Sequence, residues 1–262
     1  MGYQRFVAIG DSCTEGLDDP YPDGGMYRGW ADLVAGRLAD QEPDLRYANL
    51  GVRGRRLDQI IDEQIPTASR LRPDLVALFG GGNDVLSGGF DPHVVRRRAR
   101  IAVRALTACA PTVVVFTLSD LSGRVPMVRG LRGRLEVLND AIRAAADDYG
   151  ALLIDLWPDQ AVKDLRYFGP DRLHLAEHGH RRLAARLLTQ LGVPCDPDWG
   201  ELTGVPTAFG PRSHAEWVCR EVLPVAVDRL RNRLVGRSPG DGFRPKRPEL
   251  LPVSAAVQTA AI

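Results

Sequence analysis

Short apolar runs alternate along the chain with longer stretches in which apolar residues recur every three or four positions. The runs Arg5–Ile9, Leu45–Asn49, Leu75–Phe79, Thr112–Leu118 and Ala151–Asp155 are rich in Val, Leu, Ile or Phe. Each is followed by a break containing Gly, Asp or Ser, so each predicts a strand. Helical patterns lie between them, near Gly29–Ala39, Leu57–Leu71, Val94–Ala108 and Arg132–Tyr149, and another follows near Glu177–Leu191. Leu135, Leu138, Ile142, Ala145 and Ala146 show the 3/4 spacing of a buried helix face. Strand–helix alternation at this interval predicts right-handed βαβ units. Strands that are apolar at nearly every position predict an α/β fold with a parallel sheet covered by helices on both faces. In such sheets a site forms just beyond the C-terminal ends of the strands.

The pattern weakens after about Gly192, where proline and glycine become frequent. The expected organisation is therefore a main domain at 1–192 and a C-terminal extension at 193–262. One helix is predicted near His214–Leu234, with Ser213 as its N-cap. A basic, turn-rich run from Arg237 to Pro248 follows, and the last dozen residues read as a mobile tail. The arginines between Arg229 and Arg247 read as a surface-hugging extension held by salt bridges, with an anionic substrate or partner site as the functional alternative.

Charge and cysteine content narrow the partners. The 262 residues carry a net charge of +1, which gives no global field for nucleic acid or acidic membranes. Only Lys163 and Lys246 are lysines among 34 basic residues. Cys13, Cys109, Cys195 and Cys219 form no C-x-x-C pair, so neither a zinc ribbon nor a redox motif is indicated. The first strand begins almost at once, with no signal-peptide pattern before it. No apolar stretch approaches the ~20 residues of a membrane span. A cytoplasmic protein acting on a small molecule is the expectation.

Candidate chemistry gathers at the strand ends. Gly10-Asp11-Ser12-Cys13-Thr14-Glu15-Gly16 follows the first strand, Asn49-Leu50-Gly51-Val52-Arg53-Gly54 the second, and Gly80-Gly81-Gly82-Asn83-Asp84 the third. Asp171-Arg172-Leu173-His174-Leu175 precedes the last helix of the main domain. A serine nucleophile needs a base, and the base needs a group to hold it. Ser12 on a strand-to-helix turn, His174 as base and Asp171 three residues earlier as its orienter meet that requirement. The Ser12 amide, the Gly51 amide and the Asn83 side chain follow neighbouring strands and are the expected oxyanion donors.

Those four ordered blocks resemble the SGNH (GDSL-type) hydrolase family over roughly residues 5–192. The markers map to Ser12, Gly51, Asn83 and His174, with Asp171 in the D-x-x-H position. The resemblance implies a flavodoxin-like, three-layer α/β/α fold with a five-stranded parallel sheet. It also implies an esterase or lipase cleaving carboxylic esters or thioesters through an acyl-enzyme, without metal or cofactor. The C-terminal extension is similar to that of actinobacterial members.

Other chemistries fit the sequence less well. An acyltransferase would use the same site to move an acyl group to a sugar or metabolite. A metal phosphoesterase would be built on Asp11, Asn83, Asp84 and the histidines, but His174, His178 and His180 lack a matching ligand set. A non-catalytic module binding through the extension is the remaining alternative. Asp11 is expected to brace its turn, Cys13 to be structural, Asp84 to orient Asn83 or cap a helix, and His178 and His180 to pack or face solvent. Arg96, Arg97, Arg98 and Arg100 read as a solvated helix face. The loop Ser119–Gly130, with Arg124, Pro126, Met127 and Val128, is the expected pocket wall.

Overall fold

The computed structural model describes residues 2–22, 24, 26–121, 125, 130–204, 215–234 and 236–253. Five parallel strands form where the apolar runs predict them: β1 (Arg5–Gly10), β2 (Arg46–Asn49), β3 (Leu75–Phe79), β4 (Thr112–Phe116) and β5 (Leu152–Ile154). The sheet also has a sixth strand, β6 (Arg247–Pro252), so the expected five-stranded parallel sheet is corrected to a mixed one. Strand order is β5-β4-β3-β1-β2-β6, with β6 antiparallel to β2 at the edge. Pro248 and Pro252 are tolerated there because an edge strand need not donate on both sides.

Helices cover both faces. On one side lie α2 (Gly29–Gln41) and α8 (Glu177–Gln190), packed on Phe6, Ala8, Tyr47, Phe79 and Phe116. On the other lie the continuous helical run of α3 (Leu57–Gln59), a π turn (Ile60–Gln64) and α4 (Ile65–Leu71), together with α6 (Pro92–Thr107) and α7 (Arg132–Tyr149). They pack on Val7, Ile9, Val76, Leu78, Val113 and Val115. Alternate residues of β1 thus serve opposite cores, the result of a period of two in a strand buried on both faces. Two one-turn helices, α1 (Ser12–Glu15) and α5 (Gly82–Val85), follow β1 and β3 directly. Near the C-terminus a π turn (Val218–Val222) leads into α9 (Leu223–Leu234).

The order reverses at β1: the chain passes to β2 on one side and then returns to β3 on the other. Ser12 therefore sits at the switch point, where neighbouring crossovers leave a crevice. Ser213 and His214, Arg124 and Pro126–Val128 of the expected pocket wall, and residues 254–262 of the expected tail lie outside the described residues.

Candidate active site

The turn after β1 is fixed by its own backbone demands. Asp11 caps α1, its Oδ1 accepting from the Cys13 amide at 3.1 Å. The Thr14 hydroxyl donates to the Phe79 carbonyl at 2.9 Å and ties α1 to β3. Ser12 takes the first helical position and is 8% exposed.

Ser12 Oγ lies 2.8 Å from His174 Nε2, and His174 Nδ1 lies 2.6 Å from Asp171 Oδ2. Residues 168–175 bring the last two there as a tight loop. Phe168 and Leu175 form an antiparallel bridge, and the Gly169 amide donates to the His174 carbonyl at 2.9 Å. Arg172 turns the tip with φ of 60° and lays its guanidinium 4.3 Å from the Trp217 ring. Asp171 Oδ1 accepts from the Leu173 and His174 amides at 2.8 and 2.9 Å.

Charge in this cluster is coupled. Burial alone would lower the His174 pKa, but the Asp171 hydrogen bond and charge, with Asp18 and Asp11 behind them, raise it above its ordinary value. Burial opposes ionisation of Asp171 too, and the His174 hydrogen bond and charge with two backbone amides bring its pKa below the usual range. Asp11 is buried, and desolvation pushes its pKa up to about 6 despite the Cys13 amide.

The expected oxyanion donors are only partly brought together. Asn83 borders the Ser12 cavity, its Nδ2 donating to Asp11 Oδ2 at 3.3 Å and to the Arg55 carbonyl at 3.2 Å. The Gly51 amide is not available there: it donates to Asn49 Oδ1 at 2.9 Å. Gly51 faces the base of α1, where a Cβ would stand 2.8 Å from the Glu15 amide. Three residues on, Gly54 does border the cavity, as does Arg53. The sequence signal for Gly54 was the second glycine of the same strand-end block, one turn further into the loop.

The cavity at Ser12 measures about 510 Å³, with Phe79, Leu86, Leu118, Leu156 and Leu183 among its walls. Pro239 and Phe243 of the C-terminal segment also border it, a contribution no motif announced. Asp18, Asp171 and His174 offer three ligand atoms within 4.8 Å of one another. Both ring nitrogens of His174 already have partners, so a metal there would have to displace Ser12 or Asp171. His180 is fully buried, accepting from the Trp30 amide at Nδ1 (3.1 Å) and donating from Nε2 to the Leu17 carbonyl (3.1 Å). Its neutral form is locked in, and burial drives its pKa down to about 4. His178 is exposed. Asp84 caps the start of α3 through the Leu57 amide at 2.8 Å. Arg98 departs from a solvated face, reaching Asp58 at 2.8 Å and Asp84 at 3.3 Å, because α6 packs beside the start of α3.

Residues 8–182 match the model of the GDSL-like lipase/acylhydrolase family. A rice protein (Oryza sativa subsp. japonica) described as the GDSL esterase/lipase WDL1 is 27% identical over 233 residues, spanning 80% of this chain and 85% of its own. LAE5, an alpha/beta hydrolase from the metagenome of Lake Arreo in Spain, superposes with a TM-score of 0.58 at 23% identity, covering 72% of this chain and 95% of its own. Axe2, an acetylxylan esterase from Geobacillus stearothermophilus, superposes with a TM-score of 0.60 at 20% identity, covering 76% and 96%. At these identities the two superpositions speak to the fold.

Proposed function

The chain belongs to the GDSL-like lipase/acylhydrolase family and is a carboxylic ester hydrolase, and from that premise we propose that it works through an acyl-enzyme on Ser12. One observation carries the reading: the unbroken relay from Ser12 Oγ to His174 Nε2 at 2.8 Å and from His174 Nδ1 to Asp171 at 2.6 Å. His174 takes the Ser12 proton as Oγ attacks the ester carbonyl, and it then protonates the leaving alcohol. It next takes a proton from water, which attacks the acyl carbonyl, and it returns that proton to Ser12 Oγ as the acid is released. Asp171 holds the ring with Nδ1–H inward, so that Nε2 has its lone pair towards Ser12.

The developing oxyanion is held by the Ser12 amide, by Asn83 Nδ2 and by the Gly54 amide in place of Gly51. Gly54 borders the cavity, whereas the Gly51 amide is spent on Asn49. The two Asn83 bonds are long, at 3.2 and 3.3 Å, so one N–H turns to the oxyanion at small cost. Leucine and phenylalanine walls favour an apolar acyl group. Each buried methylene is worth about 0.8 kcal/mol, roughly fourfold in kcat/KM, until the cavity is filled.

A series of p-nitrophenyl esters of increasing acyl length tests this reading. Activity should climb from acetate and then level off, and Ser12→Ala should abolish it across the series. Undiminished hydrolysis by Ser12→Ala would remove the assignment.

A further inference from the structure

The family match ends at residue 182, yet the loop that carries Gly54 is gripped by residues far beyond it. The backbones of 53–54 and 239–240 lie against each other with no side chain between them. Gly54 has φ of +76°, and a Cβ on it would stand 2.6 Å from the Gly240 amide nitrogen. A Cβ on Gly240 would in turn overlap the Arg53 carbonyl oxygen. Polar ties flank this contact: Arg55 Nη1 to Asp241 Oδ1 at 3.0 Å and Gln59 Nε2 to Ser238 Oγ at 3.4 Å. The Arg53 guanidinium lies over the Tyr27 and Phe243 rings, 5.4 and 4.4 Å from their centres.

The turn that makes these contacts is itself closed and anchored. The Asp241 amide donates to the Ser238 carbonyl at 3.0 Å, and Asp241 Oδ2 accepts from the Ser238 amide at 2.9 Å. A few residues later Lys246 Nζ is buried against the Tyr27 and Arg28 carbonyls and Asp32, at 2.8, 2.6 and 2.9 Å. Arg247 Nε then donates to the Tyr47 carbonyl at 3.0 Å, and β6 zips onto β2. Residues 238–252 thus form a strap held at one end by a sheet edge and pressed at the other on the loop 53–55.

That loop governs two oxyanion donors together. It carries the Gly54 amide, and the Arg55 carbonyl accepts from Asn83 Nδ2 at 3.2 Å. Such donors act only when fixed in place before charge develops. We infer that the strap is a positioning element of the active site, with Gly240 the residue that sets the 53–55 loop and, through it, Gly54 and Asn83. The inference rests on the acyl-enzyme reading. Misplaced oxyanion donors weaken transition-state binding while leaving ground-state binding intact, so the effect falls on kcat and not on KM.

The test is steady-state kinetics of Gly240→Ala on a short p-nitrophenyl ester, beside the rate of labelling by a fluorophosphonate. The added methyl must push the Arg53 carbonyl. Expected are a drop in kcat of tenfold or more, KM within twofold of the parent, and labelling slowed in parallel. Val103→Ala, a buried core residue of α6 outside both the strap and the cavity lining, should lower Tm while leaving kcat alone, which separates positioning from general loosening. If Gly240→Ala does not fold, Ser238→Ala/Asp241→Asn releases the turn from Gln59 and Arg55 and should lower kcat at least threefold with KM unchanged. A folded Gly240→Ala with parental kcat, or the double variant with parental kcat where Gly240→Ala fails to fold, overturns the inference. Ser12→Ala run alongside reports separately on the acyl-enzyme reading, because retained activity there would sink that reading whatever the strap variants do.

Discussion

The two carboxylate oxygens of Asp171 divide their work on His174: Oδ2 stands 2.6 Å from the ring Nδ1, while Oδ1 accepts from the His174 backbone amide at 2.9 Å. The same side chain therefore fixes both the turn that presents the histidine and the tautomer of its ring. A carboxylate only three residues away can do this because Arg172 bends the chain between them with a left-handed φ of 60°.

Asp171→Asn should keep the turn and lose the tautomer. A carboxamide donating to Nδ1 leaves the proton on Nε2, facing Ser12, and kcat should fall roughly 10³–10⁴-fold. The pH profile should also move. The active histidine is neutral, so kcat/KM rises with pH through the His174 pKa. Because the Asp171 hydrogen bond and charge outweigh desolvation and hold that pKa above its ordinary value, the limb should lie above about 6.5 in the parent. In Asp171→Asn desolvation remains unopposed by that charge, and the limb of the residual activity should shift downwards. An unshifted limb would contradict the coupling.

Asn83→Ala removes one of the proposed oxyanion donors without touching the relay. On the usual value of such a donor, kcat should fall about 10²–10³-fold with little change in KM. Fluorophosphonate labelling should slow with it, since the phosphonyl oxygen occupies the same place.

The hydrogen-bonded arrangement of Ser12, His174 and Asp171 was legible in the sequence for a physical reason: the roles proposed for them each need a particular side chain, and i,i+3 spacing of Asp171 and His174 survives any loop around it. Helix α7 was legible to the residue, because its apolar spacing runs unbroken from Leu135 to Ala146 and Gly150 closes it in a left-handed C-cap. The choice between the two glycines was not, because a backbone amide leaves no signature. Gly51 and Gly54 share one block, and only the fold reveals that Asn49 has already taken the first. Strand β6 was hidden for another reason. Arg247-Pro248-Glu249-Leu250-Leu251-Pro252 lacks strand alternation, since as an edge strand it buries little and is held by pairing with β2 and by its neighbour Lys246. The π turn at Ile60–Gln64 inserts no residue type that a helical pattern would reject, so it too was silent.

Two buried groups pull the acid stability of the fold in opposite directions. Asp11 has its pKa raised to about 6, so its contribution is full below its unfolded value and is lost as pH rises through 6. His180 has its pKa depressed to about 4, so its contribution is full above its unfolded value of 6.5 and is lost as pH falls towards 4. Between pH 7 and 5, Asp11 gains roughly 1 kcal/mol of stability and His180 loses roughly 2 kcal/mol. Asp11→Asn should therefore lose roughly 1 kcal/mol more than the parent over that interval. Urea unfolding at the two pH values measures both; equal losses in parent and variant would show that the two groups are not opposed.

Lys246 supplies the last prediction. It is one of two lysines in the chain and lies buried beside Asp32, which also accepts from the Tyr21 and Tyr47 hydroxyls at 2.7 Å each. Replacing the lysine with methionine fills the same space but leaves a buried carboxylate without its cation and two carbonyls, Tyr27 and Arg28, without their donor. Breaking a buried pair from one side costs about 3–5 kcal/mol, and the two tyrosine donors place Lys246→Met at the lower end. Most of that loss is the stranded charge and not the missing contact. Lys246→Met/Asp32→Asn should therefore recover part of the stability that Lys246→Met loses, a non-additivity that urea unfolding of the four proteins measures directly. A double variant no more stable than Lys246→Met would mean that the lysine acts through the carbonyls of residues 27 and 28 alone.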